Sequence, residues 1–264
     1  GKVTESLLFP WAVAHFQDRR VKIHLLKKKI GDSNEDIVNS SVQQLEYAFS
    51  DGFNKLINQR SKKVAIMRGN GELADAYIAD FVKSIRDYYY IAPFTLDSVA
   101  ANPQKTLQQL NDYDLIVEAK PTEAYTEQEK LVLDQYTMNG GKSLWLLENV
   151  KAEKDSLFTN EENKLLAFYN DLNLTDFFFQ YGARVNPEIV NDVYSAPIVL
   201  ARGSGENTQF NPYPWFYEPM ATSTNNHPIV NNIEAVKFNF ANPIDTLKND
   251  IQKTILLQSS KFSK

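Results

Sequence analysis

The spacing of apolar positions divides the chain into two regimes. Residues 7–26 read as a hairpin. Leu7 to Phe16 is apolar, Asp18-Arg19-Arg20 is a polar turn, and Val21, Ile23 and Leu25 then alternate with Lys22, His24 and Leu26. Lys27-Lys28-Lys29 and Gly31-Asp32 close it. This lysine run is shorter than the about four to eight cations of a lipid-binding cluster, and reads as a solvated connection. Ser33 to Gln59 is predicted as one long helix, because Val38, Val42, Leu45, Phe49, Phe53 and Leu56 fall on one stripe. Ser33 or Asn34 caps it, with Asp36 near the positive end of the helix dipole. The stripe reads as core or as the seat of a partner helix.

From Ser61 onward strands and helices alternate. Strands are predicted at Lys63–Met67, Tyr90–Leu96, Asp114–Val117 and Ser143–Leu147. Between them lie a helical pattern from Leu73 to Tyr88, a short helix from Pro103 to Leu110, and a helix to Met138 opened by the capping box Thr126-Glu127-Gln128-Glu129 and ended by Gly140-Gly141. Short runs apolar on both faces, alternating with helices, imply a parallel sheet covered on both sides. Residues 148–171 are polar and read as a mobile surface loop, and Leu172 to Tyr181 as a helix. Val193–Ala201, Phe210–Met220, Ala235–Phe240 and Thr254–Gln258 look extended, the second as an edge strand or irregular ribbon because of Pro212, Pro214 and Pro219. The expected architecture is α/β, a three-layer sandwich with a mostly parallel sheet over residues 62–264, preceded by a hairpin and a helix in residues 1–61.

Composition narrows the functional classes. Of 264 residues, 43% are hydrophobic and 23% charged, which suits a packed core. Lys and Arg number 28 against 33 Asp and Glu, and this balance of −5 argues against a general nucleic-acid or anionic-membrane binder, whose affinity rests on clustered Lys and Arg. The absence of Cys excludes disulfides, thiolate metal sites and a thiol nucleophile. No apolar run approaches the roughly 20 residues that span a bilayer. Gly1 reads as a cloning remnant and the whole as an excised fragment of a longer protein.

Candidate chemistry is sparse. Gly69-Asn70-Gly71-Glu72-Leu73-Ala74, between the first strand of the alternating region and its helix, fits a loose dinucleotide-binding pattern, with Asp97 where a ribose-binding acid would sit. Glu72 opposes this, because its carboxylate stands where a pyrophosphate would lie; a tight turn accounts for both glycines. Glu72, Asp97, Glu118 and Glu148 show no spacing that singles out a pair, and each reads first as a cap or a surface charge. His15 and His24 fall on one hairpin face at a diagonal offset, with no third metal ligand evident; they read as a solvated pair. No Walker A motif, no G-x-S-x-G elbow and no cofactor signature are present. The ribbon Phe210-Asn211-Pro212-Tyr213-Pro214-Trp215-Phe216-Tyr217 is stiff and aromatic. Tyr213, Trp215 and Tyr217 are candidates for a docking surface, and Phe210 and Phe216 for the core.

Several segments carry a family resemblance: Leu8-Phe9-Pro10, Asn70-Gly71-Glu72-Leu73, Phe94 to Val99, Tyr113 to Val117 with Lys120-Pro121-Thr122, Leu133 to Tyr136 through Met138-Asn139-Gly140-Gly141-Lys142, Asp171 to Leu174, Tyr194 to Ile198, Asn207 to Trp215, and Leu256 to Ser260. In their order they resemble the GldG family, gliding-motility-associated ABC transporter components of Bacteroidetes. The resemblance implies a domain facing the periplasm, anchored in the cytoplasmic membrane by flanking segments. It implies a permease subunit and a separate ATPase as partners, and leaves a homo-oligomer open. It implies a flavodoxin-like fold similar to class I glutamine amidotransferases and to a domain of intraflagellar-transport proteins. Amidotransferases carry a Cys on the elbow after a central strand; here that turn is Glu118-Ala119-Lys120-Pro121, so no catalytic residue and no cofactor are carried over. The resulting expectation is a non-catalytic scaffold or substrate-engaging domain, with a ligand or partner surface at Asn70, Gly71, Glu72, Glu118, Lys120, Tyr213, Trp215 and Tyr217. The alternative is an enzyme using carboxylates or a nucleotide at the carboxyl edge of the sheet.

Overall fold

The computed structural model describes residues 9–27, 33–159, 164–203, 205–231 and 233–264. Leu7, Leu8, Lys28, Lys29, Gly31 and Asp32, which enter the expectations above, lie outside them. The chain forms two compact units: Gly1–Val64 with Asp75–Ala92, and Ala65–Ala74 with Pro93–Lys264.

In the first unit, β1 (Trp11–Phe16) and β2 (Arg19–His24) form an antiparallel hairpin. The turn comes earlier than the polar run predicts, because Gln17 adopts a left-handed conformation with φ 53°. This sets His15 opposite Arg20 and His24 opposite Trp11, with the Val13–Lys22 pair between them. The two histidines share a face but are not diagonal neighbours, which corrects the expectation. The single long helix is also corrected: α1 (Asn34–Gln43) and α2 (Leu45–Ile57) are separated at Gln44. Buried Ser41 explains the break. Its hydroxyl donates to the Ile37 carbonyl at 2.5 Å and accepts from the Lys27 N–H at 3.0 Å, a pattern that bends helices. The apolar stripe is only partly covered. Leu56 is buried, whereas Val42 and Phe53 are exposed. Of the two caps the sequence offers, Ser33 is the one used, and Asp36 returns the bond to complete a capping box. α3 (Asp75–Ile85) belongs to the same unit.

The central sheet comprises β3 (Lys63–Arg68), β4 (Tyr90–Thr95), β5 (Leu115–Ala119) and β6 (Lys142–Leu146) in the order β4-β3-β5-β6. It is parallel, with Leu115 opposite Lys142 and Glu118 opposite Trp145. α4 (Pro103–Leu110) and α5 (Glu127–Met138) start where the caps predict; the Asn102 side chain accepts from Lys105, and both halves of the Thr126–Glu129 box are made. Ala65, Met67, Leu96, Val99, Leu110, Ile116, Tyr125, Val132, Leu133, Tyr136, Leu172, Leu174 and Phe177 form one buried cluster. The Tyr136 hydroxyl donates to the carbonyls of Tyr113 and Lys142, tying α5 to the starts of β5 and β6.

The rest of the second unit is built from short pairings. Residues 148–171, expected to be a loop, contain β7 (Val150–Lys151) paired with β8 (Phe168–Tyr169), and α6 (Ser156–Thr159). α7 (Thr175–Gln180) follows, then β9 (Ala183–Val185), β10 (Ile198–Arg202), β11 (Gln209–Tyr213), β12 (Met220–Ala221), β13 (Val236–Lys237) and β14 (Ile244–Thr246). β10 pairs with β11, β12 with β13 and β9 with β14, all antiparallel. Residues 254–258 contribute only an isolated bridge, Thr222 to Gln258. Phe210 and Phe216, expected in the core, are 71% and 46% exposed. Gln209–Tyr213 of the Pro-rich ribbon pairs with Ile198–Arg202 as a two-stranded hairpin, and Phe210 and Phe216 lie on its exposed side.

A Cβ added at Gly141 would fall 2.3 Å from the Tyr136 ring, so the ring can lie there only because residue 141 has no side chain. Gly141→Ala is expected to destabilise by about 1–3 kcal/mol through overpacking. A urea titration should show this as a lower midpoint at unchanged slope.

Candidate functional site

In a parallel sheet of this order the chain runs outward from β3 to β4, then returns past β3 to β5. The switch point lies between β3 and β5, and ligands in such sheets bind outside the carboxyl ends of those strands. Two turns meet there: Gly69–Leu73 after β3, and Lys120–Glu123 after β5. They are fastened to each other by backbone hydrogen bonds. Thr122 N–H and Glu123 N–H both donate to the Asn70 carbonyl, at 2.9 and 3.0 Å, and Leu73 N–H donates to the Ala119 carbonyl at 2.9 Å. The Thr122 hydroxyl donates to the Gly71 carbonyl at 2.9 Å. Gly71 has φ +71°, and a Cβ there would fall 2.2 Å from Thr122 Oγ1, so glycine is required by both conformation and space.

The carboxylate of Glu72 turns back into this junction and accepts the Asn70 N–H at 3.0 Å. It takes the position in the glycine turn that an anionic ligand would need, as the sequence indicated. Asn70 is buried, and Glu118 is fully buried, on a strand otherwise apolar. These two residues therefore present no ligand surface, which corrects that part of the expectation. The structure instead makes the pair that sequence spacing did not reveal: the Glu118 carboxyl lies near enough to Glu72 for that charge to raise it, and it accepts the Tyr125 hydroxyl at 2.9 Å. Oε1 of each glutamate is buried without a hydrogen-bond partner, so a proton kept on Glu118 spares the interior one of two unpaired charges. Burial above all pushes Glu118 up to about 8; Tyr125 donation opposes the shift, and the charge of Glu72 adds to it. Burial and the neighbouring Glu118 raise the Tyr125 hydroxyl well above the usual phenol value.

Lys120 occupies the elbow after β5 in a left-handed conformation, φ +55°. Its ammonium is paired with Glu148 and Glu153, each at 3.0 Å. Burial alone would lower its pKa, but these two partners outweigh it and hold the amine above its ordinary value, hence protonated and not nucleophilic. Among the described residues no group of three or more His, Asp or Glu is placed to hold a metal.

Tyr213, Trp215 and Tyr217 belong to a different constellation. Tyr213 is half-buried with the Arg202 guanidinium 5.4 Å from its ring centre. Trp215 is half-buried against Tyr217 and Phe240, at centroid distances of 5.2 and 6.4 Å, and Tyr217 is exposed. Beside them Glu218 is fully buried and paired with Lys154 and Lys237. Asp192, also buried, accepts from Ser260 N–H at 2.7 Å, Ser260 hydroxyl at 2.5 Å and Tyr194 N–H at 2.9 Å. Burial opposes ionisation of Asp192, but these bonds prevail and hold its pKa below the usual value. Glu118, Asp192 and Glu218 were missed as interior groups. Only Glu118 carried a sequence signal, as the lone charge in Leu115-Ile116-Val117-Glu118-Ala119.

Comparison with known proteins follows this geometry. Residues 61–264 match the model of a family described as an ABC-type uncharacterized transport system. No curated protein matches the chain. Among solved structures, the mmIFT52 N-terminal domain is similar at TM-score 0.50 and 16% identity, over 76% of this chain and 75% of that one. At this identity the likeness concerns the fold alone.

The raised Glu118 carboxyl predicts a pH dependence. The unfolded chain releases the Glu118 proton near 4.5, whereas the folded chain keeps it to about 8. Stability from this group is therefore complete below the lower value and is lost as pH rises through the higher, at up to about 1.4 kcal/mol per pH unit. Glu118→Gln, whose amide can donate to Glu72 in place of the carboxyl proton, should flatten this slope in urea titrations from pH 5 to pH 8.

Proposed function

Because the chain belongs to the family described as an ABC-type uncharacterized transport system, we propose that it is a non-catalytic component of an ABC transporter, acting as a scaffold or substrate-engaging domain. The finer reading is a component of the GldG type, linked to gliding motility. It is held at the cytoplasmic membrane by segments flanking this region, faces the periplasm, and works with a permease subunit and a separate ATPase. The family match over residues 61–264 supports the transporter part of this reading, and the sequence resemblance alone suggests the rest. No described helix is long and apolar enough to cross a membrane.

The state of the switch point supports a non-catalytic role. The crevice that would receive substrate is closed by bonds between its two turns, and its titratable pair lies behind them. A carboxyl held protonated beside a second carboxyl is also the arrangement of an acid–base enzyme, and this one observation favours the alternative reading of an α/β enzyme. It would require the turns at Asn70 and Thr122 to part before substrate reached Glu118.

For partner contact we retain Tyr213, Trp215 and Tyr217, whose partial exposure suits aromatic anchors, and assign them to the permease subunit. Asn70 and Glu118 are withdrawn from that surface.

Affinity purification of the tagged full-length protein from its native membrane is expected to recover the permease and the ATPase. Recovery of neither would overturn the transporter reading. Tyr217→Ala should reduce recovery while leaving the melting temperature within about 2 °C of the parent, since an exposed substitution costs little. Nucleotides added at 100 times a micromolar dissociation constant would stabilise a true binder by about 2.7 kcal/mol. The expected result is no shift, and a reproducible one would favour the enzyme.

A further inference from the structure

The hairpin β1–β2 has two unlike faces. Val21 and Ile23 point inward, with Ile23 only 3% exposed, and α2 packs against both strands. The outward face carries three directly opposed pairs: Trp11 with His24, Val13 with Lys22, and His15 with Arg20. All six are exposed, and Phe9, just before β1, is 70% exposed. The Lys22 ammonium lies 4.6 Å from the centre of the Trp11 ring, which keeps a cation beside the apolar row. This face carries the cations Arg20 and Lys22 and no carboxylate, although the chain as a whole is acidic.

We propose that this outward face is a docking surface for the headgroup region of an anionic lipid bilayer. An indole and two smaller apolar side chains in a row, flanked by long cationic stems, match the chemistry of that region. Tryptophan favours the boundary between hydrocarbon and headgroups, and Lys and Arg extend their stems along apolar surface while the charges meet lipid phosphates. Charge complementarity selects an anionic surface over a neutral one. An acidic protein would satisfy the same charges, but this face offers six residues and Phe9, whereas a stable protein interface takes roughly 20–30 residues a side. The proposal is independent of the transporter assignment: vesicle binding requires no permease or ATPase, so either reading can fail while the other stands.

The test is co-sedimentation of the chain with phosphatidylcholine vesicles, and with vesicles of equal parts phosphatidylcholine and phosphatidylglycerol. Binding is expected only to the second, and to weaken as salt shortens the range of the charges. Arg20→Ala with Lys22→Ala should lower the partition coefficient on the order of 25-fold, about fivefold for each cation removed. Trp11→Ala should lower it as well, and Lys22→Gln alone should give an intermediate loss. Thermal melting checks that each variant remains folded. Absence of binding to the anionic vesicles, equal binding to neutral ones, or binding insensitive to these changes in folded variants would overturn the proposal. So would capture of an acidic protein by this face with no affinity for vesicles.

Discussion

A carboxyl group on a buried central strand has few acceptable states. Unpaired and ionised, it costs several kcal/mol of lost hydration. Glu118 avoids that cost by keeping its proton beside a second carboxyl, that of Glu72, and by accepting a phenolic donor, Tyr125. Each partner comes from a different stretch of chain, and each is held in turn. Glu72 is set by the glycine turn after β3, whose Asn70 carbonyl receives two N–H groups from the turn after β5. Tyr125 is set by its own backbone: its N–H donates to the Leu172 carbonyl, and its carbonyl accepts the Asn173 side chain at 2.8 Å. Its ring packs on Trp145, which faces Phe177 and Phe178. One interior group thus fixes the relation of β3, β5, the approach to α5 and the segment before α7.

Much of the fold was legible because its signals are local. The Thr126–Glu129 box and Pro103 mark helix starts within four residues, and the strands of the sheet stand out as short apolar runs between helical periods. The errors arose where a distant partner decides. Alternation alone could not place the hairpin turn, because left-handed Gln17 has no glycine to announce it. The break at Gln44 depends on Ser41 meeting Lys27, a contact across the preceding connection. The loop 148–171 was read from its charges, yet two residues at each end suffice to pair β7 with β8.

The candidate site was half legible. Strand ends named the two turns, and the position of Glu72 in the glycine loop spoke against an anion there. The pairing of Glu72 with Glu118 was hidden, since residues 46 apart in number become neighbours only once β3 and β5 are adjacent in the sheet. Fold likeness does not supply the missing chemistry either. A similarity at 16% identity concerns the fold and says nothing of what, if anything, enters the crevice.

The spread of contacts along the second unit also bears on how the chain acquires its structure. β5, α5 and β6 are consecutive, and Tyr136 joins them over short loops, a low contact order that favours early assembly. The strands beyond residue 180 are different. β9 waits for β14, β12 for β13, Thr222 for Gln258, and Asn191 for the backbone of Lys264. During synthesis their partners emerge late, so β9, β12 and Thr222 spend that interval unpaired while β10 and β11 can already pair with each other. A translational pause or a chaperone acting in that window would therefore bear on the yield of folded chain.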